Sequence, residues 1–322
     1  MKLLEVEDVH VRYPAGGRLK AAFTGAPATI EAVAGVSFAI EPGETYALVG
    51  ESGCGKTTLA RAINGLVPAS SGSIRFNGAE IVGRSDRALR STRREVAMVF
   101  QDPVGSLSPR LPVRSILAEP FRVHRLGGLN LDREIDRLLD LVGLPAVFAQ
   151  RYPHQLSGGQ ARRVGVARAL ALEPKLVIAD EPTAGLDVSV QGEILNLLNE
   201  LQERLGIAIM IITHNLNVVR HIAHRMAIMY LGRLVEEGPT KQIFAHPRHP
   251  YTLALLSANP EPDPDAELDR LAISGEVPSL LSRPGGCEFH PRCPFMTEMC
   301  RTVAPASTES DAAHRFTCHH PR

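Results

Sequence analysis

The chain of 322 residues carries 35 Lys plus Arg against 35 Asp plus Glu, a formal net charge of zero, and 44% of its residues are hydrophobic. This length buries a core without covalent staples, in one large domain or two modest ones. The even charge excludes a broad basic footprint for nucleic acid or for an anionic membrane surface.

Met1 to His10 carries Glu5, Glu7 and Asp8 within an alternating apolar pattern, which is not the basic start and unbroken apolar stretch of a signal peptide. The period-two alternation predicts strands over Leu3 to Tyr13 and Val33 to Ile40. Thr45 to Val49 reads as a short apolar strand and Lys56 to Asn64 as the helix after it. Val96 to Phe100, Leu176 to Ala179 and Ile207 to Thr213 read as buried strands, because unbroken apolar runs suit a sheet covered on both faces. Between Asp102 and Ala171 the pattern turns largely helical, with Leu131 to Val142 amphipathic. The alternation of strands and helices predicts an α/β core over 1–258 with a helical subdomain inserted at about 102–171. No apolar run, Ile207 to Ile212 included, is long enough to cross a bilayer, so the expected location is the cytoplasm unless something else carries the chain to a membrane.

From Pro260 the texture changes: nine prolines and four of the five cysteines fall between there and Pro321. This extension, 259–322, has few periodic apolar residues for a core of its own. It is expected to be either a flexible tail or a small unit organised by metal.

Gly50-Glu51-Ser52-Gly53-Cys54-Gly55-Lys56-Thr57 matches G-x-x-x-x-G-K-[ST] and sits between a predicted strand and a predicted helix. In that setting glycines let backbone N–H groups curl around phosphate oxygens, and the helix N-terminus adds partial positive charge. Lys56 can reach the β- and γ-phosphates of a nucleotide, and the Thr57 hydroxyl can ligate Mg²⁺. Leu176 to Glu181 supplies a matching half. An apolar strand ending in Asp180 places a carboxylate for Mg²⁺ or its water shell, and Glu181 can orient or deprotonate an attacking water. By itself a strand ending in charges says little; behind the upstream loop it says much more.

Leu156-Ser157-Gly158-Gly159-Gln160 resembles the signature motif of the ATP-binding cassette (ABC) superfamily, and further motifs follow in the family's order. Gln101 in Phe100-Gln101-Asp102-Pro103 is similar to the Q-loop glutamine, Asp187 in Ala184-Gly185-Leu186-Asp187 to the D-loop, and His214 to the switch histidine. The resemblance implies a P-loop NTPase cassette that hydrolyses ATP with Mg²⁺. It implies ATP contacts from Tyr13, Gly50, Ser52, Gly53, Cys54, Gly55, Lys56, Thr57, Thr58, Gln101, Ser157, Gly158, Gly159, Gln160, Asp180 and Asp187. Thr57, Gln101 and Asp180 are the implied Mg²⁺ ligands, and Glu181, His214 and Gln101 the implied catalytic set. Tyr13 would stack on adenine, although a long insertion separates it from the phosphate loop. Asn215 follows His214 where the family commonly has Asp.

His249-Pro250-Tyr251-Thr252 and Gly286 to Pro294 (GCEFHPRCP) narrow the resemblance to the oligopeptide/dipeptide importer ATPases. It implies a second ATPase subunit, identical or paralogous, because in this family ATP is sandwiched between one cassette's phosphate loop and another's signature motif. Two transmembrane permease subunits and an extracytoplasmic solute-binding protein complete the implied assembly, with this chain peripheral on the cytoplasmic face of the membrane. Nucleic acid is not an expected partner. A soluble ABC ATPase of DNA repair or ribosome function is the alternative, but Gly50 to Asp180 spans only a compact insertion without heptads, and there is one cassette rather than two.

Cys287, Cys293, Cys300 and Cys318 stand with five, six and seventeen residues between them. In a reducing compartment such a group suggests metal ligands before disulfides. Four thiolates suit a [4Fe–4S] cluster, and the spacing lacks the C-x-x-C pairs of structural zinc sites. Zinc is the second reading, since His290, His319 or His320 can replace a thiolate.

Overall fold

A computed structural model of the protein describes residues 2–15, 29–102, 104–258, 271, 273, 275–310 and 313–322. Residues 16–28, the insertion after Tyr13, and all of 259–270 lie outside the described residues. In chain order the elements are β1 (Leu4–Pro14), β2 (Thr29–Ile40), β3 (Thr45–Val49), α1 (Lys56–Ile63), β4 (Ser71–Phe76), β5 (Ala79–Glu80), α2 (Thr92–Glu95), β6 (Val96–Val99), α3 (Val113–Val123), α4 (Leu131–Leu141), α5 (Gly158–Leu170), β7 (Leu176–Asp180), α6 (Val188–Leu205), β8 (Ala208–Thr213), α7 (Leu216–Ile222), β9 (Arg225–Tyr230), β10 (Arg233–Pro239), α8 (Thr240–Ala245), α9 (Pro250–Ser257), α10 (Glu298–Thr302), β11 (Thr308–Ser310) and β12 (His314–Phe316). The chain divides into two compact units, one of residues 41–45 and 84–212, the other of 2–40, 46–83 and 213–322.

In the first unit β6, β7 and β8 are parallel neighbours, with Val96 opposite Leu176 and Leu176 opposite Ala208. All five residues of β7 are buried, as their unbroken apolar run requires of a strand with no solvent face. α4 follows from its sequence just as directly. The Asn130 side chain accepts the Arg133 N–H, Asp132 and Glu134 occupy the first turn, and Ile135, Leu138 and Leu139 form the buried stripe. α6 ends where Gly206 takes a left-handed conformation, φ 62°, which only glycine adopts cheaply.

In the second unit β1 is central to an antiparallel sheet of order β2-β1-β4-β5. Its buried residues Leu4 and Val6 alternate in one phase and Val9 and Val11 in the other. The change of phase is absorbed by a bulge at Glu7–Asp8, with Asp8 at φ 46° and a register shift against β2. β4 and β5 form a hairpin over Asn77 and Gly78, at φ 48° and 79°, the residue pair that a tight hairpin turn demands. β3 runs parallel to β9, β9 antiparallel to β10, and β10 antiparallel to β12, which closes on β11.

The Cys-rich extension is part of this second unit's interior. Phe289 is buried in one cluster with Ala47, Val49, Tyr230 and Tyr251. β12 adds a strand to β10, and His314, wholly buried, donates Nε2–H to Glu236 Oε1 at 2.6 Å. The extension contributes Phe289 to the cluster that contains Ala47, Val49, Met226 and Ile228, with Ile273, Leu280, Cys287 and Cys293 packed against it.

Candidate nucleotide site

The phosphate loop leaves β3 at Gly50 and enters α1 at Lys56. Two glycines are dictated by close approach. A Cβ on Gly50 would lie 2.2 Å from the Met229 carbonyl oxygen, and one on Gly55, at φ 108°, would lie 2.2 Å from that of Ala32. Loop and strands therefore touch through backbone, which leaves room for no side chain. Within the loop the Lys56 ammonium, 7% exposed, donates to the carbonyls of Gly50 at 2.7 Å and Glu51 at 2.9 Å. Gly55 supplies the N-terminal turn of α1 with no side-chain cap, so the first N–H groups of the helix are not claimed by one. Burial pushes the Cys54 thiol up from its ordinary value against the opposing pull of Lys56. It is a neutral filler of the loop interior.

His214 and Asn215 follow β8 in the same unit. Asn215 accepts the Asn217 N–H with its side chain and donates its own N–H to Thr213 Oγ1 at 3.0 Å. Asn therefore caps α7 as the more usual Asp would, without the charge. Tyr13 lies near the end of β1, opposite Ile30, with its side chain 38% exposed.

The other named residues lie in the first unit. Asp180 is the last residue of β7 and 3% exposed; Glu181 follows with φ 49° and donates its N–H to the Ile212 carbonyl at 2.8 Å. This backbone twist turns the chain sharply as it leaves the strand and is a costly conformation for glutamate. Ser157 and Gln160 form a reciprocal cap, Ser157 Oγ accepting the Gln160 N–H and Gln160 Oε1 accepting the Ser157 N–H. Gly158 and Gly159 form the first turn of α5. Asp187 caps α6 by accepting the Val190 N–H at 3.0 Å, and Gln101 is exposed just after β6.

Sequence reasoning missed Arg162. This residue of α5 is fully buried and donates to the Gln101 carbonyl and to the Ala184 carbonyl, each at 2.9 Å. It thereby joins the chain after β6, the turn after β7 and the signature helix within one unit. Burial pulls its guanidinium below the ordinary value, with Asp102 opposing. An Arg one turn into a helix carries no local signal of such a role.

Cys287, Cys293, Cys300 and Cys318 line one small pocket together with His290, His319 and His320. Burial first, then the neighbouring Cys300, Cys318 and Cys293, push the Cys287 thiol up to about 11. Among the described residues no group of three or more His, Cys, Asp or Glu side chains is arranged as a metal site. No helix of the described residues is long and apolar enough to cross a membrane.

The parallel strands, the glycine loop ahead of α1 and the capped signature helix together define an ATP-binding cassette. Residues 33–184 match the ABC transporter family and residues 235–300 the C-terminal region of oligopeptide/dipeptide transporters. The di/tripeptide transport ATP-binding protein DppF of Pseudomonas aeruginosa is 46% identical, with 91% of each chain covered. The oligopeptide transport ATP-binding protein OppF of Escherichia coli is 42% identical over 98% of this chain and 95% of its own. Among solved structures, the cassette MJ0796 in a dimeric post-hydrolysis state with ADP and Pi is 29% identical with a TM-score of 0.65, covering 74% of this chain and 98% of its own. The CbiO1 cassette of Clostridium perfringens gives 32% and 0.65, covering 76% and 91%. The chain belongs to the oligopeptide/dipeptide branch of the ABC transporter ATP-binding proteins, and is an ATPase of the ABC type.

Proposed function

We propose that the protein is the ATP-hydrolysing subunit of an importer for peptides or related small solutes, acting on the cytoplasmic face of the membrane. The observation that carries this reading is the phosphate loop, wound around the Lys56 ammonium, in a chain whose C-terminal region is itself of the oligopeptide/dipeptide type. Lys56 and the N–H groups at the start of α1 would hold the nucleotide's phosphates; by the resemblance to the family's motifs Thr57, Gln101 and Asp180 would be the ligands of Mg²⁺, which would supply charge neutralisation at the phosphates. Glu181 takes the proton of the attacking water, and His214 holds that water and the γ-phosphate in line. Ser157 to Gln160 and Asp187 serve the nucleotide of a second cassette, identical or paralogous, and Tyr13 faces the adenine. The cassette is read as 1–258 with its helical part at about 102–171, and the extension as 259–322. Permease subunits and a solute-binding protein complete the assembly.

Crosslinkers placed between Asp102 and Arg110 test the assignment. Capture of permease loops is the expected result; capture of ribosomal proteins or DNA alone would overturn it. For the extension, we read the four cysteines as holding a [4Fe–4S] cluster, with zinc as the alternative. Support comes from four thiols that share one pocket, where burial first and neighbouring thiols second raise Cys287, Cys293 and Cys318 above the ordinary thiol value. Thiolates so placed would staple 287–318 together and supply no chemistry to ATP. Anaerobic purification with iron, sulfide and zinc analysis separates the readings: about four irons and four sulfides per chain are expected. Zinc without iron rejects the cluster, and a metal-free extension rejects both.

A further inference from the structure

Glu51, the residue after Gly50 in the phosphate loop, is gripped by two residues that lie far along the chain. Its backbone N–H donates to the Tyr251 hydroxyl at 3.0 Å. Its carboxylate accepts both arms of the Arg292 guanidinium, Nη1 to Oε2 at 2.8 Å and Nη2 to Oε1 at 2.9 Å. Two parallel N–H···O bonds fix orientation as well as distance, which a lysine ammonium cannot do.

The grip is built into the interior rather than laid on the surface. Arg292 is 8% exposed, and its guanidinium lies 5.9 Å from the centroid of the Tyr230 ring. Tyr230, Tyr251 and Phe289 pack mutually, with centroids 4.8 to 5.4 Å apart. The Glu51 carboxylate holds the Arg292 guanidinium well above its ordinary value, and burial does the same for the Tyr251 phenol, which stays protonated. At its other end Glu51 faces the loop: its carbonyl accepts from Lys56 Nζ at 2.9 Å and from the Cys54 N–H at 3.3 Å. Every polar group of Glu51 is thus engaged, the N–H and carboxylate by α9 and the extension, the carbonyl by the loop's own lysine.

We propose that Arg292 and Tyr251 are positioning residues for the phosphate loop, setting the Glu51 backbone and through it the carbonyl on which the Lys56 ammonium rests. Nucleotide affinity then depends on a segment between Cys287 and Cys293 that touches no nucleotide. This inference rests on the reading of Gly50 to Thr57 as the ATP phosphate site.

The test is binding of N-methylanthraniloyl ATP to the full chain, together with KM and kcat for ATP in the assembled transporter. Tyr251→Phe keeps the packed ring but leaves the Glu51 N–H without its acceptor, and affinity falls about fivefold. Arg292→Gln lowers affinity about tenfold. Glu51→Gln combined with Arg292→Gln falls no further than the worse single variant, because one interaction is lost only once. In the transporter KM rises with these changes while kcat falls less. Wild-type affinity in Tyr251→Phe and Arg292→Gln, in a protein where Lys56→Ala has lost binding, would overturn the inference and leave the functional assignment standing. A fall in kcat at unchanged KM would also overturn it. Wild-type binding by Lys56→Ala would instead overturn the assignment of the loop itself. Should Arg292→Gln not fold, Arg292→Lys, which keeps stem and charge but not the fork, and Tyr251→Phe decide the matter in the same way.

Discussion

The phosphate loop and the Cys-rich extension share one unit, yet they are shaped by opposite means. The loop takes its form from backbone: glycines where any Cβ would strike a carbonyl, and a lysine folded onto the carbonyls beside it. The residue types this requires lie within eight positions, even though the carbonyls of Met229 and Ala32 that they meet do not, which is why Gly50 to Thr57 can be read as a motif. The extension takes its form from paired side chains. Arg292 meets Glu51 across 241 positions, and His314 meets Glu236 across 78. Arg315 pairs with Glu237. Local pattern encodes the first kind of structure and is nearly silent about the second.

The largest effect is expected at Glu236, the buried carboxylate on which the extension's His314 and the chain ahead of α9 converge. Glu236 accepts the Arg248 N–H at 2.6 Å, the His249 N–H at 2.9 Å and the His314 Nε2–H at 2.6 Å. Glu236→Ala leaves three donors without that acceptor and is expected to cost about 4 kcal/mol in urea unfolding. A loss below about 1 kcal/mol, the range of surface pairs, would show that the extension is not held by this pairing.

Next comes a dependence on acid. His249 is buried, accepts the Tyr251 N–H through Nδ1, and has its pKa lowered from 6.5 to about 4 by burial, with Glu236 opposing. Above pH 6.5 both folded and unfolded states hold it neutral, so it adds no slope there. Between pH 6.5 and 4 only the unfolded state takes up the proton, and stability falls as pH falls, by on the order of 3 kcal/mol, levelling off below about pH 4. His249→Asn retains an acceptor for the Tyr251 N–H and should flatten this slope. An unchanged slope would assign the acid sensitivity to other groups.

On the loop side, Gly50→Ala forces a methyl against the Met229 carbonyl and is expected to weaken ATP binding roughly a hundredfold. Unchanged affinity would mean that the loop yields where backbone contact is said to fix it. The smallest effect belongs to a purely local device in the other unit. Asn130→Ala removes the cap of α4 and should cost about 1 kcal/mol, read from the thermal midpoint.

Legibility follows the same division. β3, β7 and β8 stand close to where apolar runs place them, and α4 ends one residue short of its predicted end at Val142. The β4–β5 hairpin went unread although Asn77-Gly78 announced it, because the strands flanking it are too short and polar to draw notice. β11 and β12 have three residues each, below the length at which any period shows. At the candidate site the loop, Asp180 and the capped start of α5 were visible as motifs. Arg162, Arg292 and Tyr251 were invisible as contacts, since each acts through partners distant in sequence.

Glu181→Gln set beside Lys56→Ala in the purified transporter tests the central claim most directly. ATP binding and ATP turnover are measured on both. Glu181→Gln is expected to bind ATP as wild type does while its turnover falls at least about a hundredfold, and Lys56→Ala to lose binding as well. Loss of binding to the same extent in both variants, or wild-type turnover by Glu181→Gln, would contradict that claim.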